Sequence, residues 1–169
     1  MEKIILGTGS YFSVRNGNTV SIEGSGGRVW GYNGAFCRKL VPRLETSVPY
    51  SRRHHQLLEL KEQAVDLKEY LEFKEKIENQ FIEDYYETRL KNLDVEELLC
   101  NLYNMYGKDI ILLGSQHFID FCPRRLVADY IELKTGIYIP EVGVNMGGEV
   151  EFINPIRYKK RLEKVIGRK

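Results

Sequence analysis

A short, uninterrupted apolar run, Ile-Ile-Leu-Leu at positions 110–113, constrains the fold more than any other feature of the sequence. A strand with one face in water alternates apolar and polar residues, whereas this run is typical of a strand covered on both faces. Helical patterns lie on either side of it, one from Asp94 to Gly107 and one from Pro123 to Gly136. Because helices that alternate with buried strands form parallel sheets, the sequence predicts an α/β domain.

The other elements follow from periodicity and turn residues. Apolar residues at three- and four-residue spacing predict one long amphipathic helix over 54–80, within a helical segment at 54–106. Strands are predicted at 3–6, 20–23, 137–139, 142–144 and 149–152, a short helix at 35–40, and a basic C-terminal helix at 155–166. Together they predict a single three-layer-like domain over 1–169, in which a partly parallel sheet is flanked by helices.

Composition narrows the class of protein. The chain has 169 residues, 43% of them hydrophobic, which fits one globular domain of ordinary size. No apolar run approaches the roughly 20 residues that span a bilayer, no signal-peptide pattern is present, and three cysteines are too few for a disulfide framework. There is no Cys-x-x-Cys or His-x-x-x-His pair. We therefore expect a cytoplasmic protein with no membrane association, metal or cofactor, whose oligomeric state stays open.

Charge is distributed unevenly along the chain. Residues 28–53 contain six bases and one acid, residues 59–97 thirteen acids and six bases, and residues 157–169 seven bases and one acid. Two interpretations remain open: these are solvated helix faces, or the basic regions bind an anionic partner such as a phosphorylated small molecule or a nucleic acid.

Two arginines, Arg124 and Arg125, stand in the first turn of the helix that begins at Pro123. A helix N-terminus is already electropositive, so each exposed, unpaired cation there costs about 0.3–1 kcal/mol. Negative groups must offset them, either the chain's own Asp120 and Asp129 or a bound phosphate or carboxylate. Both interpretations stay open, and a bound anion would lie beside the end of a buried strand, where open α/β sheets bind ligands.

Cys122 lies at the same helix start. A helix N-terminus and neighbouring cations lower the pKa of a thiol, and His117 is the nearest base along the chain. Cys122 is therefore a candidate nucleophile, and the alternative is a small buried cysteine with a packing role.

Glycine-rich stretches at 7–10 and 24–27 are predicted to be loops that let a ligand approach the backbone closely. Neither is a Walker loop or a dinucleotide fingerprint, and plain turns and packing remain the alternative. The polar and aromatic side chains that would contact the ligand from these stretches are Ser10, Tyr11, Arg28 and Tyr32.

Five segments of the chain follow one another in an order that is also typical of a known protein family: Phe81–Tyr86, Leu93-Asp94, 110–113, Phe121–Tyr130 and Pro140–Val142. They resemble the uncharacterised family called domain of unknown function 488. Its members show an apolar strand ending in Cys-x-Glu, a helix opening with Cys-His-Arg, and a Glu after the next strand. The resemblance implies that Cys122, Arg124 and Glu141 occupy the family's positions.

The chain departs from that family at Gly114, Gln116 and Pro123, where a Cys, a Glu and a His are typical. If those groups perform acid–base chemistry in relatives, this chain lacks them. The family has no settled activity, so the resemblance implies a fold and the position of a site, and no reaction.

These observations predict an enzyme-like domain that binds a nucleotide, a nucleic acid or another phosphorylated ligand in a crevice between 7–11 and 122–125. Arg124 and Arg125 would hold the anion, and Cys122 and Glu141 would be the catalytic groups, Glu141 as general acid or base. The alternative is a non-catalytic module that binds nucleic acid through its basic regions or protein through the acidic helix. Whether the chain is an enzyme stays open.

Overall fold

A six-stranded sheet forms the centre of the computed structural model, which describes residues 3–168. Its strands are β1 (Ile5–Ser10), β2 (Asn18–Ser21), β3 (Ala35–Phe36), β4 (Ile110–Gly114), β5 (Glu141–Val144) and β6 (Val150–Ile153). Their order is β3-β2-β4-β1-β5-β6, and every neighbouring pair is parallel except the antiparallel hairpin of β5 and β6. The predicted α/β domain with a partly parallel sheet is confirmed.

The helices are α1 (Leu44–Glu62), α2 (Leu67–Tyr85), α3 (Val95–Tyr106), α4 (Pro123–Thr135) and α5 (Lys159–Gly167). The chain continues from α2 into one π turn, Tyr86–Leu90, and forms 3₁₀ turns at Arg28–Trp30 and Arg38–Leu40. Within residues 3–168, none of these helices is both long enough and apolar enough to pass through a lipid bilayer.

β4 shows why its sequence is uniformly apolar. Ile110 and Leu112 belong to the large core beneath the helices, and Ile111 and Leu113 belong to a smaller cluster on the opposite face. That second cluster is completed by residues of β5 and of loops, including Val14. The prediction of a strand covered on both faces is therefore confirmed, with helices on one face and loop residues on the other.

The predicted single helix over 54–80 is wrong, because two helices occupy this region as a hairpin. Ala64 adopts a left-handed conformation with φ of 52°, and the Asp66 carboxylate accepts a hydrogen bond from the Lys68 N–H at 3.4 Å, which caps α2. The apolar spacing continues across the break, so the pattern did not show it. α1 also begins earlier than predicted, at Leu44.

The predicted turn at 7–10 is also wrong, since these residues lie inside β1. A Cβ on Gly7 would lie 2.9 Å from the Pro140 carbonyl oxygen, and one on Gly9 would lie 2.8 Å from that of Val142. The glycines therefore permit β1 to approach the neighbouring chain closely.

Smaller differences occur near the sheet edges and the C-terminus. Residues 137–139 are not a strand, the short helix predicted at 35–40 is β3 followed by a 3₁₀ turn, and α5 begins at Lys159 instead of 155. The Tyr158 N–H donates to Asp129 Oδ2 at 2.5 Å, which fixes the start of α5 against α4. The predicted bounds of α3 and α4 are confirmed, and a hairpin in which Gly148 has a φ of 85° joins β5 to β6.

Candidate functional site

A cavity of about 940 Å³ lies at the edge of the sheet where the parallel strands β2 and β4 end. Its floor is formed by residues that follow these strands, including Glu23, Ser115 and Gln116. The α1–α2 hairpin forms the opposite wall, and Pro123 and Arg124 at the start of α4 complete it. In open α/β sheets this edge is where ligands bind.

Arg124 is the predicted site residue that lines this cavity. It is 0% exposed, and its Nε and Nη2 donate to Glu141 Oε1 at 3.1 and 2.7 Å. Within residues 3–168, its Nη1 has no hydrogen-bond partner. Nη1 lies 3.4 Å from the point that a Cβ on Gly114 would occupy, at the end of β4. One guanidinium donor therefore stays unused at the floor of the cavity.

Glu141 is the counter-ion of Arg124. It is buried at the start of β5, and its Oε2 also accepts a hydrogen bond from the Thr8 hydroxyl at 2.5 Å. Glu141 does not line the cavity. Its geometry accounts for the orientation of Arg124, and the general acid or base role stays a prediction without a contact that supports it.

Arg125 is buried as well, but it points into the protein and does not line the cavity. Its Nη1 donates to the Thr8 hydroxyl at 2.8 Å and to the Ile139 carbonyl at 2.9 Å, and its Nη2 is 3.8 Å from Asp129 Oδ1. Burial lowers the pKa of the Arg125 guanidinium, and the carboxylate of Asp129 opposes that shift. The two arginines at the helix start are therefore held by different acids and face different surroundings.

Cys122 is buried beneath the helix start. Its thiol donates to the carbonyl oxygens of Asp120 at 2.9 Å and His117 at 3.2 Å. Burial raises the pKa of the thiol to about 11, and the nearby Arg124 only partly opposes this. The expectation of a lowered thiol pKa is therefore wrong, because loss of hydration outweighs the neighbouring charges. The nucleophilic role stays a prediction that the geometry does not support.

The four predicted ligand contacts, Ser10, Tyr11, Arg28 and Tyr32, do not line the cavity. The Tyr11 hydroxyl lies 2.6 Å from the Ser21 hydroxyl, and the Tyr32 hydroxyl donates to the Thr19 carbonyl oxygen at 2.9 Å. Both partners belong to β2, and both tyrosines pack against the smaller core cluster. Arg28 is exposed in a 3₁₀ turn. From the same predicted loop region, Trp30 does line the cavity.

The sequence did not point to the side chains that the α1–α2 hairpin brings to the cavity. They include Tyr50, Lys61 and Lys74. Glu23 was also missed, because it was placed inside the predicted strand at 20–23, whereas β2 ends at Ser21. Its Oε1 accepts a hydrogen bond from the Ser115 N–H at 2.5 Å, which fixes the carboxylate on the cavity floor.

Across residues 3–168, no group of three or more His, Cys, Asp or Glu side chains is arranged to hold a metal ion. The resemblance to the domain of unknown function 488 stays a prediction, because no family model, curated protein or solved structure matches this chain.

Proposed function

We propose that this domain binds a phosphorylated small molecule of nucleotide size in the cavity at the ends of β2 and β4. The observation that carries the proposal is the buried Arg124, a residue of the cavity lining whose Nη1 has no partner among residues 3–168. A buried donor without a partner costs about 1–3 kcal/mol, and more when it is charged. A ligand oxygen that accepts from Nη1 would remove this cost.

The size and lining of the cavity support a ligand of this class. Its volume of about 940 Å³ lies within the range of roughly 300–1,000 Å³ of small-molecule sites. Tyr50, Phe81 and Phe121 give it an aromatic wall, with ring centroids 5.2–5.3 Å apart. Lys61 and Lys74 line it from the hairpin and make no ion pair within the described residues. Aromatic surface and free cations together suit a ring that carries a phosphate.

The alternative of a nucleic-acid module receives less support. Three cations of the basic C-terminal region, Arg157, Lys159 and Arg161, pair with acids of α2 and α4. They fasten α5 to the domain, so they are less available to neutralise phosphates.

The substitution Gly114→Ala tests the site without removing Arg124. Its methyl group would stand 3.4 Å from Arg124 Nη1 and 3.2 Å from Gln116 Oε1, an atom at the end of a flexible side chain. We expect wild type to bind at least one of the four common 5′-mononucleotides in isothermal titration calorimetry. The variant should bind it about tenfold or more weakly, as expected when a charged hydrogen bond worth about 1.5–3 kcal/mol is blocked.

Gly143→Ala is the matched control. Gly143 is also a buried strand glycine, but an added Cβ there would find only ordinary contacts, the nearest at 3.5 Å, and it does not line the cavity. This variant should retain wild-type affinity. Equal affinity of Gly114→Ala and wild type, or no binding of any mononucleotide to wild type, would contradict the proposal.

A further inference from the structure

The floor of the cavity presents both acceptors and a donor around one point. An added Cβ on Gly114 would lie 3.2 Å from Gln116 Oε1, 3.4 Å from Arg124 Nη1 and 3.6 Å from Glu23 Oε1. With glycine at this position, no side chain of residue 114 stands among these three groups, which come together at one corner of the cavity. The carboxylate offers acceptors only, the guanidinium donors only, and the amide of Gln116 offers either.

The charges on this floor argue against a phosphate there. The charge of Arg124 is already balanced by Glu141, whose Oε1 is 2.7 Å from its Nη2. Glu23 adds a negative charge, and its observed partner is the neutral Ser115 N–H. A doubly charged phosphate on the floor would meet the carboxylate of Glu23 with no net positive charge to offset it. The floor instead suits an uncharged group that carries N–H donors next to an acceptor oxygen.

The opposite wall has the charge that a phosphate requires. Lys61 on α1 and Lys74 on α2 both line the cavity and are free of ion pairs within residues 3–168. Tyr50 on α1 and Phe121 just before α4 also line the cavity, with ring centroids 5.3 Å apart. The floor therefore carries the net negative charge of Glu23, whereas the hairpin contributes the positive charges of Lys61 and Lys74.

We propose that the floor binds the hydrogen-bonding edge of a nucleobase, and that the phosphate of the same ligand lies against Lys61 and Lys74. A guanine edge fits this floor: its N1–H and N2–H groups donate to Glu23, and its O6 accepts from Arg124 Nη1. This inference rests on the proposed function, because it orients a ligand in the same cavity.

Calorimetric titration with three probes, guanosine 5′-monophosphate, guanosine and ribose 5-phosphate, tests the orientation. The Glu23→Gln variant keeps an acceptor for Ser115 but loses the carboxylate charge. It should weaken the monophosphate and the nucleoside by the same factor, about tenfold, and leave ribose 5-phosphate unchanged. The double variant Lys61→Ala, Lys74→Ala should weaken the two phosphate-bearing probes and leave guanosine unchanged. Both variants alter side chains at the cavity surface, and their unfolding temperatures serve as the control for folding.

The outcomes separate this inference from the proposed function. Tighter binding of the monophosphate by Glu23→Gln would place the phosphate on the floor and overturn the inference, while the site would stand. Binding of another mononucleotide but of neither guanine probe would also overturn the inference alone. If none of the four 5′-mononucleotides binds wild type, both fail.

Discussion

The substitution Glu141→Gln tests the structural role of this carboxylate. Glu141 accepts hydrogen bonds from Arg124 Nε and Nη2 and from the Thr8 hydroxyl, all buried. Glutamine has nearly the same shape, so no cavity forms in the core. The change removes one charge of a buried ion pair and replaces one acceptor oxygen with a donor nitrogen.

The expected cost follows from the burial of the pair. Breaking a buried ion pair by removing one charge costs about 3–5 kcal/mol, because the remaining charge is left uncompensated. For a chain of 169 residues, each kcal/mol lowers the melting temperature by about 2–4 °C. We therefore expect Glu141→Gln to melt about 6–20 °C below wild type.

Urea unfolding followed by circular dichroism measures the free energy directly. The control is the double variant Arg124→Met, Glu141→Leu, since replacing both partners with apolar side chains is often neutral. It should be more stable than the Glu141→Gln single variant, although the Thr8 hydroxyl loses an acceptor in it. A single variant within about 1 kcal/mol of wild type would refute the reasoning, because unpairing a buried charge costs more than that.

Three further predictions concern buried residues. Cys122 should resist iodoacetamide at pH 8 while the exposed Cys100 reacts, as peptide mass spectrometry would show; equal rates would contradict burial of the thiol. Folding raises the pKa of the Cys122 thiol to about 11, so the folded state favours the protonated thiol. The stabilisation that depends on this protonated thiol is fully present below the ordinary thiol pKa of about 8.5, and it is lost as pH rises toward 11. Gly9→Ala should lower the free energy of unfolding by more than about 2 kcal/mol in urea titrations, because its methyl group would stand 2.8 Å from the Val142 carbonyl oxygen. An unchanged free energy of unfolding would mean that β5 can shift to make room for the methyl group.

The elements predicted correctly are those whose cause is local. The strand at 110–113 is signalled by its own uninterrupted apolar residues, and α3 begins at Asp94 because that side chain accepts a hydrogen bond from the Glu97 N–H at 3.0 Å. Gly136 ends α4 in the left-handed conformation that glycine adopts readily, with φ of 73°. Each of these causes lies within a few residues of its effect.

The wrong predictions have causes that lie far away in the chain. Glycines at 7 and 9 suggested a turn. In the structure they are required because a side chain there would collide with the backbone of Pro140 and Val142, in the chain that runs alongside β1. In the same way, the helical spacing of apolar residues continues through Ala64, although the chain reverses direction there between α1 and α2. Neither constraint can be seen without knowing which segments become neighbours.

The site was predicted in part. The sequence required negative partners for Arg124 and Arg125, and the structure supplies Asp129 for one and Glu141 for the other. Asp129 was a candidate because it lies one helical turn away, whereas Glu141 had been assigned a chemical role through the family resemblance. The cavity itself was not predicted, since its walls come from 22–30, 42–61, 70–81 and 114–124, and helix periodicity does not show how the α1–α2 hairpin packs.

The unpaired nitrogen of Arg124 supports the proposed site because Arg124 lines the cavity, whereas the Nε and Nη2 of Arg125, which also lack hydrogen-bond partners within the described residues, lie away from it. A purely structural ion pair is most stable when every donor of the guanidinium is satisfied, because each buried donor without a partner costs free energy. Glu141 instead holds Nε and Nη2 and thereby fixes the plane of the group, while Nη1 stays unpaired at the cavity floor. Gly114 places no side chain beside Nη1, whereas the methyl group of an alanine would stand 3.4 Å from it. A ligand that accepts from Nη1 would satisfy this donor only in the folded state, so its binding would also stabilise the fold.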